Sequence, residues 1–199
     1  MSATSTLSTI PGYVTGIWDV DPVHSEVSFV ARHLVVGKVR GRFDRFTGTI
    51  VTADDPLQSR VDAMIEAASV NTNEPQRDAH VRSGDFLDVE NFPSITFHSL
   101  AIRERGDRIL VDGDLTIRGI ARAATLDLEA NSFIPDPEGE TRAGFLATTE
   151  INRHDFGVSY NGPIPGVDRA LALSDKVILQ LEIEAVLRRN EGTPRPSAA

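Results

Sequence analysis

The sequence contains no cysteine among its 199 residues, which excludes disulfides, thiolate catalysis and cysteine-ligated zinc. No stretch approaches the roughly 18–20 apolar residues that a membrane-spanning helix needs. Positive charge is scarce, and the net charge of −9 argues against nonspecific binding to nucleic acid. The remaining composition, 40% hydrophobic and 25% charged, is that of an ordinary globular protein.

The length suits a single domain with a sizeable core. We expect a folded domain over residues 17–187, between a disordered Ser/Thr-rich arm (residues 1–16) and a disordered tail (residues 188–199). The arm has neither the basic start nor the apolar centre of a secretory signal. We therefore expect a cytoplasmic protein.

Most of the domain alternates between apolar and polar residues with a period of two, which is typical of half-buried β-strands. The alternation is clearest over residues 176–187 and recurs over residues 24–32, 61–67 and 109–117. The Gly106-Asp107 pair predicts a hairpin between its flanking strands. The pattern indicates an all-β fold of about eight antiparallel strands. Closing them into a barrel would remove the exposed sheet edges.

One short segment breaks this alternation. Residues 74–83 have Pro75 near their start, where its missing N–H is tolerated, and predict a short α-helix. This helix carries Arg77, His80 and Arg82 and has no apolar face, so it cannot lie in a core. We expect it to lie as a polar plug over one end of the barrel.

An eight-stranded barrel is either filled by its own side chains or just wide enough for one small ligand. Small residues such as Ala31, Gly41 and Ala63 interleave with the large apolar ones, which suits both arrangements. Gly41 and Gly48 within strands also indicate a β-bulge or a sharp coil of the strand. The polar plug favours the open interior, because an amphiphile needs one wet end and a dry channel. The candidate lining residues are Trp18, Phe29, Phe43, Phe46, Ile65, Phe86, Phe97, Leu115, Phe145 and Phe156.

Four basic residues are candidates for binding a polar head group: Arg77, His80, Arg82 and Arg153. A guanidinium group suits phosphate because it donates two parallel hydrogen bonds. Arg77 can instead pair locally with Asp78 or hold the plug to the barrel rim, and Arg153 can belong to a structural corner pinned by Phe156, so both interpretations stay open. His80 and His33 are the candidate general bases if the protein is an enzyme.

No residue pattern predicts a nucleophile or a metal site. Ser25 and Ser159 lie outside any G-x-S-x-G context. Asp19, Asp21 and His24 lack the spacing of known metal-ligand motifs. We therefore predict no catalytic residue, no metal and no cofactor, with an amphiphilic lipid as the only ligand.

Short motifs follow one another in order along nearly the whole domain. They are DPVHSEVSF (21–29), RHL (32–34), GRF (41–43), RDAH (77–80), FLDV (86–89), FPSITF (92–97), GDLTIRG (113–119), NRHDFG (152–157) and SDKV (174–177). Together they resemble the YceI-like family of lipocalin-like polyisoprenoid-binding proteins. Val81 and Leu87 replace the family's usual Leu and Phe, and both are exchanges between apolar residues.

The resemblance implies an extended eight-stranded antiparallel barrel that holds a polyprenyl phosphate or a polyprenyl quinone, in proteins that are often dimers. We accordingly predict non-enzymatic binding, storage or transport of a long polyisoprenoid amphiphile, and a homodimer is an expectation. Some relatives are linked to fatty acids or fatty amides, which is one alternative. The others are an enzyme acting on a lipid head group and a packed barrel that serves only as an interaction module.

Overall fold

The structure is a computed structural model that describes residues 10–33, 37–162 and 173–189. Its helix α1 spans Pro75–Arg82. Its strands are β1 (Gly16–Val20), β2 (Glu26–His33), β3 (Gly37–Phe43), β4 (Phe46–Thr52), β5 (Arg60–Glu66), β6 (Val70–Asn71), β7 (Ser94–Arg105), β8 (Arg108–Ile117), β9 (Ile120–Pro135), β10 (Thr141–Asn152) and β11 (Leu173–Leu187).

The strands form a closed antiparallel barrel of eight strands. The ring is closed by β1, which pairs with β4 on one side and with β11 on the other. The 15-residue β11 is long enough to pair with two strands in succession, β2 along its first part and β1 near its end. Strands β3 and β6 extend the wall beyond β2. The predicted all-β fold and eight-stranded barrel are confirmed.

The hairpin predicted at Gly106-Asp107 is present, and Arg105 pairs with Arg108 across it. The predicted bulges at Gly41 and Gly48 are wrong, because β3 and β4 pair without a register shift at either residue. Gly41 instead leaves room for the ring of Phe29, which fills the space that a side chain would need. The glycine therefore permits close packing of the Phe29 ring.

Helix α1 confirms the helix predicted near residues 74–83. It begins after Glu74, whose carboxylate accepts hydrogen bonds from the backbone N–H groups of Gln76 and Arg77. Pro75 occupies the first turn, where no N–H is required. None of the helices that the structure describes is long and apolar enough to cross a bilayer.

The end of the barrel away from α1 is closed by a cluster of Trp18, Phe133, Ala143 and Ala185. Ile10 and Tyr13 pack against this cluster, and the backbone N–H of Phe133 donates to the carbonyl of Pro11 at 3.0 Å. Residues 10–16 of the predicted arm therefore contact the barrel, while residues 1–9 and 190–199 lie outside the described residues.

Candidate functional site

A cavity of about 600 Å³ runs along the barrel axis. On β11 the lining residues from Val177 to Ile183 alone span about 20 Å at the usual rise per strand residue. Sites that enclose whole small molecules typically measure about 300–1,000 Å³. The barrel interior is therefore an elongated chamber that can hold a ligand, and the packed-barrel alternative does not describe it.

Nine of the ten candidate lining residues lie on the wall of this cavity, seven of them placed there by strand alternation and two, Phe86 and Phe156, by the segments after α1 and β10. They are Phe29, Phe43, Phe46, Ile65, Phe86, Phe97, Leu115, Phe145 and Phe156. Between them lie small or aliphatic residues that keep the middle of the chamber apolar, among them Ala63, Ala147 and Leu181. Contact between these residues and a ligand stays a prediction.

Trp18, the tenth candidate, lies in the closed end rather than on the cavity wall. It is fully buried, and its indole N–H donates to Thr52 Oγ1 at 2.8 Å. The Phe133 ring packs edge-to-face against the indole, with 5.1 Å between ring centroids, and Phe133 lines the cavity. Trp18 therefore forms the floor behind the deepest lining residue.

The opposite end, here called the helix end, is formed by α1, Phe86 and Tyr160. The ring of His80 lies 5.0 Å from that of Phe86 and 4.9 Å from that of Tyr160. The Nε2 atom of His80 lies 2.9 Å from an Asp85 carboxylate oxygen. His80 is thus paired with a carboxylate in an aromatic cluster at the edge of the chamber.

Arg77 lies at this end, exposed and touching the cavity. Its Nε donates to Thr72 Oγ1 at 2.7 Å and its Nη2 donates to the Thr72 carbonyl at 2.9 Å. The buried carboxylate of Asp78 holds Thr72 in turn, because it accepts hydrogen bonds from both the backbone N–H and the hydroxyl of Thr72. The Nη1 group of Arg77 has no protein acceptor among the described residues, so it is available to a ligand.

Arg153 also lines the cavity but is only 3% exposed. Its guanidinium donates to the carbonyls of Ser174, Val158 and Tyr160 at 2.9, 2.7 and 2.9 Å. Burial lowers the pKa of Arg153, opposed by the nearby charge of Asp175. These contacts tie the turn after β10 to the start of β11, which is an anchoring role.

Arg82 faces the sheet, where it donates to the carbonyls of Ala68 and Val70 at 2.7 and 2.6 Å. It holds α1 against the barrel. The side chain of His33, the other candidate base, lies outside the described part of the chain.

Asp21, His24 and Glu184 form a carboxylate–imidazole cluster away from the cavity. Its centre is filled by Arg142, which donates to Asp21 at 2.9 Å and to Glu184 at 2.6 Å. Hydrogen bonding to His24, with smaller contributions from Val23 N–H and Arg142, lowers the pKa of Asp21 to about 2. The cluster is an ion-pair network between strand ends.

Sequence reasoning missed Thr72, Tyr160 and Asn161, which all line the helix end. Tyr160 and Asn161 follow the turn after β10 in a segment without alternation, so no pattern could single them out. Thr72 stands just before α1, and only its hydrogen bonds to Arg77 and Asp78 reveal its position.

The barrel, its apolar chamber and the basic helix end can be compared with known proteins. The family model described as the YceI-like domain matches residues 18–185 of this chain. The chain belongs to the YceI-like family. Among its relatives, a UPF0312 protein of Vibrio vulnificus is 34% identical over 155 residues, covering 77% of this chain and 82% of the relative. The family predicted from the ordered motifs is confirmed.

Solved structures agree with the fold. Burkholderia cenocepacia BcnA superposes with a TM-score of 0.69 at 24% identity, covering 83% of this chain and 98% of BcnA. A domain from Saccharophagus degradans, described as a polyisoprenoid binding domain, superposes with a TM-score of 0.63 at 16% identity, covering 88% of this chain and 100% of that domain. Both share the YceI-like barrel.

Proposed function

We propose that this protein binds a long-chain polyisoprenoid amphiphile, a polyprenyl phosphate or polyprenyl quinone, and stores or transports it without chemical change. The observation that carries the proposal is the elongated apolar chamber that ends at a basic, hydrogen-bonding rim. A fold neighbour described as a polyisoprenoid binding domain supports the same ligand class. The tail would lie along the barrel axis with its head group at the helix end.

The tail supplies most of the binding free energy. Burial contributes about 0.8 kcal/mol per carbon, so each five-carbon isoprene unit adds about 4 kcal/mol before the entropy of ordering the chain is subtracted. One charge-assisted hydrogen bond to the head group adds only about 1.5–3 kcal/mol. Tail length and shape therefore dominate the affinity, and the head group sets the direction in which the lipid lies.

Arg77 is the best head-group ligand of the four candidates. Arg153 and Arg82 use their donors on backbone carbonyls, and His80 is paired with Asp85. Arg77 is exposed, lies at the cavity edge and keeps Nη1 unused. A phosphate or quinone oxygen at this end would accept from it.

The enzyme alternative rests on the pairing of His80 with Asp85, which orients an imidazole as a general base would be oriented. If the protein only carries its ligand, a polyprenyl phosphate incubated with it is recovered unchanged. Release of inorganic phosphate by the wild-type protein, abolished in His80→Ala, would establish the enzyme instead.

The carrier function is tested by extracting lipid from protein purified in its native host without detergent and identifying it by mass spectrometry. We expect one polyisoprenoid lipid in near-stoichiometric amount. Recovery of a fatty acid or fatty amide would select that alternative, and an empty chamber that takes up no added polyprenyl lipid would refute the proposal.

A further inference from the structure

The outer face of strands β2 and β3 carries a cluster of positive charge, here called the cationic face: Arg32, Lys38 and Arg40. Val27, Phe29 and Ala31 of β2 point into the barrel, so Arg32 points outward. Val39 and Phe43 of β3 line the cavity, so Lys38 and Arg40 also point outward. All three cations are exposed.

The three cations differ from most of the basic residues that the structure describes. Arg42 on the same face pairs with Asp44 at 2.7 Å, and Lys176 on β11 pairs with Glu150 at 2.6 Å. Within residues 10–33, 37–162 and 173–189, no carboxylate lies within salt-bridge distance of Arg32, Lys38 or Arg40. Their charge is therefore not neutralised by any carboxylate in the part of the chain that the structure describes.

The strand register makes this arrangement unfavourable for folding. Arg32 pairs directly with Lys38 across the two strands, and like charges in that relation destabilise a sheet. Toward the other end of the same wall the sign reverses, and Glu26 stands opposite Glu182 on β11. A protein of net charge −9 thus has, toward one end of its barrel, three cations without an ion-pair partner among the described residues.

That end is the helix end. Leu173 lines the cavity and pairs with β2 at residue 33. Asn161, next to Tyr160, exchanges hydrogen bonds with the backbone of Leu173. The cationic face therefore adjoins the rim through which a lipid would pass, and the exposed Ile178, 41% accessible, pairs with Val30 beside it.

We propose that the cationic face docks the barrel on an anionic lipid bilayer, with the helix end turned toward the membrane. This inference rests on the proposed function, because a carrier of a membrane lipid must meet the bilayer at its open end. Charge complementarity selects the partner: an anionic surface attracts the three cations, which pair with no carboxylate of the described residues. Such attraction weakens as the ionic strength rises.

The test compares two double variants by co-sedimentation with vesicles of phosphatidylcholine containing phosphatidylglycerol. Arg32→Gln with Arg40→Gln removes two cations of the face. Arg60→Gln with Arg105→Gln removes two exposed arginines away from the helix end, so both variants move the net charge from −9 to −11. Each basic residue near an anionic surface raises partitioning about fivefold. We expect the first variant to lose about thirtyfold in partitioning, the second to change little, and Arg32→Lys with Arg40→Lys to bind normally.

Equal vesicle binding by both Gln variants, each with wild-type melting temperature, would overturn the docking surface. Wild-type protein that binds pure phosphatidylcholine vesicles equally well would also overturn it. So would a first variant that loses binding to duplex DNA but binds the anionic vesicles like wild type. Uptake of a polyprenyl quinone added from ethanol without vesicles is measured in parallel. Failure of uptake refutes the proposed function, whereas the vesicle comparison still decides the docking surface.

Discussion

Phe29 stands directly opposite Gly41 on the neighbouring strand, and its ring covers the space where a side chain of residue 41 would project. The ring lines the ligand chamber and lies 5.7 Å from that of Phe43. This pairing places one aromatic ring on the chamber wall, in space that a side chain at residue 41 would otherwise occupy. The shape of the chamber depends on it.

Gly41→Ala should destabilise the protein by about 1–3 kcal/mol, because the new methyl group meets the Phe29 ring and Thr72 Cγ2. Urea unfolding measures the change. Gly84→Ala is the matched control, since no atom lies within 4 Å of a methyl group there. Adding Phe29→Leu to Gly41→Ala should recover part of the lost stability. Equal stability of Gly41→Ala and Gly84→Ala would contradict the packing described.

Ala147→Leu should leave the ligand-free protein as stable as wild type or slightly more stable. Ala147 is buried and faces the chamber, and filling empty apolar space does not strain a wall that has room. The same substitution should reduce the uptake of polyprenyl lipid. Melting temperature and lipid titration measure the two effects.

The outward-facing Thr148→Leu serves as the control for Ala147→Leu, because residue 148 is exposed on the next position of β10. It should change neither property. A large loss of stability in Ala147→Leu, as in a tightly packed core, would contradict an open chamber.

Arg77→Met should weaken the binding of a polyprenyl phosphate by about 10- to 150-fold, equivalent to one charge-assisted hydrogen bond. Binding of the polyprenyl alcohol with the same tail should change much less, because the apolar wall is intact. Competition titrations with both lipids measure the ratio. Arg82→Met, which removes contacts to backbone carbonyls, should lower the melting temperature without changing that ratio. If Arg82→Met changed the ratio and Arg77→Met did not, the head group would bind at Arg82 instead.

The Asp21–His24 pair should make stability depend on pH in both directions. The hydrogen bond to His24 lowers the pKa of Asp21 from 3.8 to about 2. The stability that ionised Asp21 contributes is therefore present above pH 3.8 and is lost as the pH falls through 2. The hydrogen bond to Asp21 raises the pKa of His24 above 6.5, so its contribution is full below pH 6.5 and is lost as the pH rises through the raised value.

Melting temperatures from pH 2 to pH 9 should therefore show the largest difference between wild type and Asp21→Asn between about pH 4 and pH 6.5. His24→Gln should remove the loss on the alkaline side and keep part of the loss on the acidic side, because Arg142 still contacts Asp21. A pH-independent difference between wild type and Asp21→Asn would contradict the linkage.

Period-two alternation predicted which face each strand buries, and it therefore predicted the barrel and most of the chamber wall. The alternation could not predict how far along the barrel axis each inward-facing residue lies. Trp18 lies on an inward face but beyond the chamber, because β1 pairs with the last residues of β11. The position of α1 followed from Pro75 and the polar composition, since both are local signals.

The basic residues could not be assigned from the sequence, because their partners are mostly backbone carbonyls. Arg153 and Arg82 both donate to such groups, and carbonyl positions depend on how distant strands meet. The same holds for the order of residues 10–16, which comes from Ile10 and Tyr13 packing on a cluster remote in sequence. Arg188, in the predicted tail, contacts Ile17 and Asp19 of β1. The cytoplasmic location and the homodimer stay predictions, and the tail beyond residue 189 lies outside the described residues.

Trp18 is the only tryptophan of the chain, and its complete enclosure behind Phe133 has a spectroscopic consequence. Its fluorescence emission should be blue-shifted relative to a solvent-exposed tryptophan and resistant to quenching by iodide. The emission comes from one known place in the barrel. A lipid tail long enough to press on Phe133 would alter that emission, whereas a shorter one would leave it unchanged. A series of prenyl chains of increasing length, followed by this single emitter, would therefore measure how far the chamber reaches.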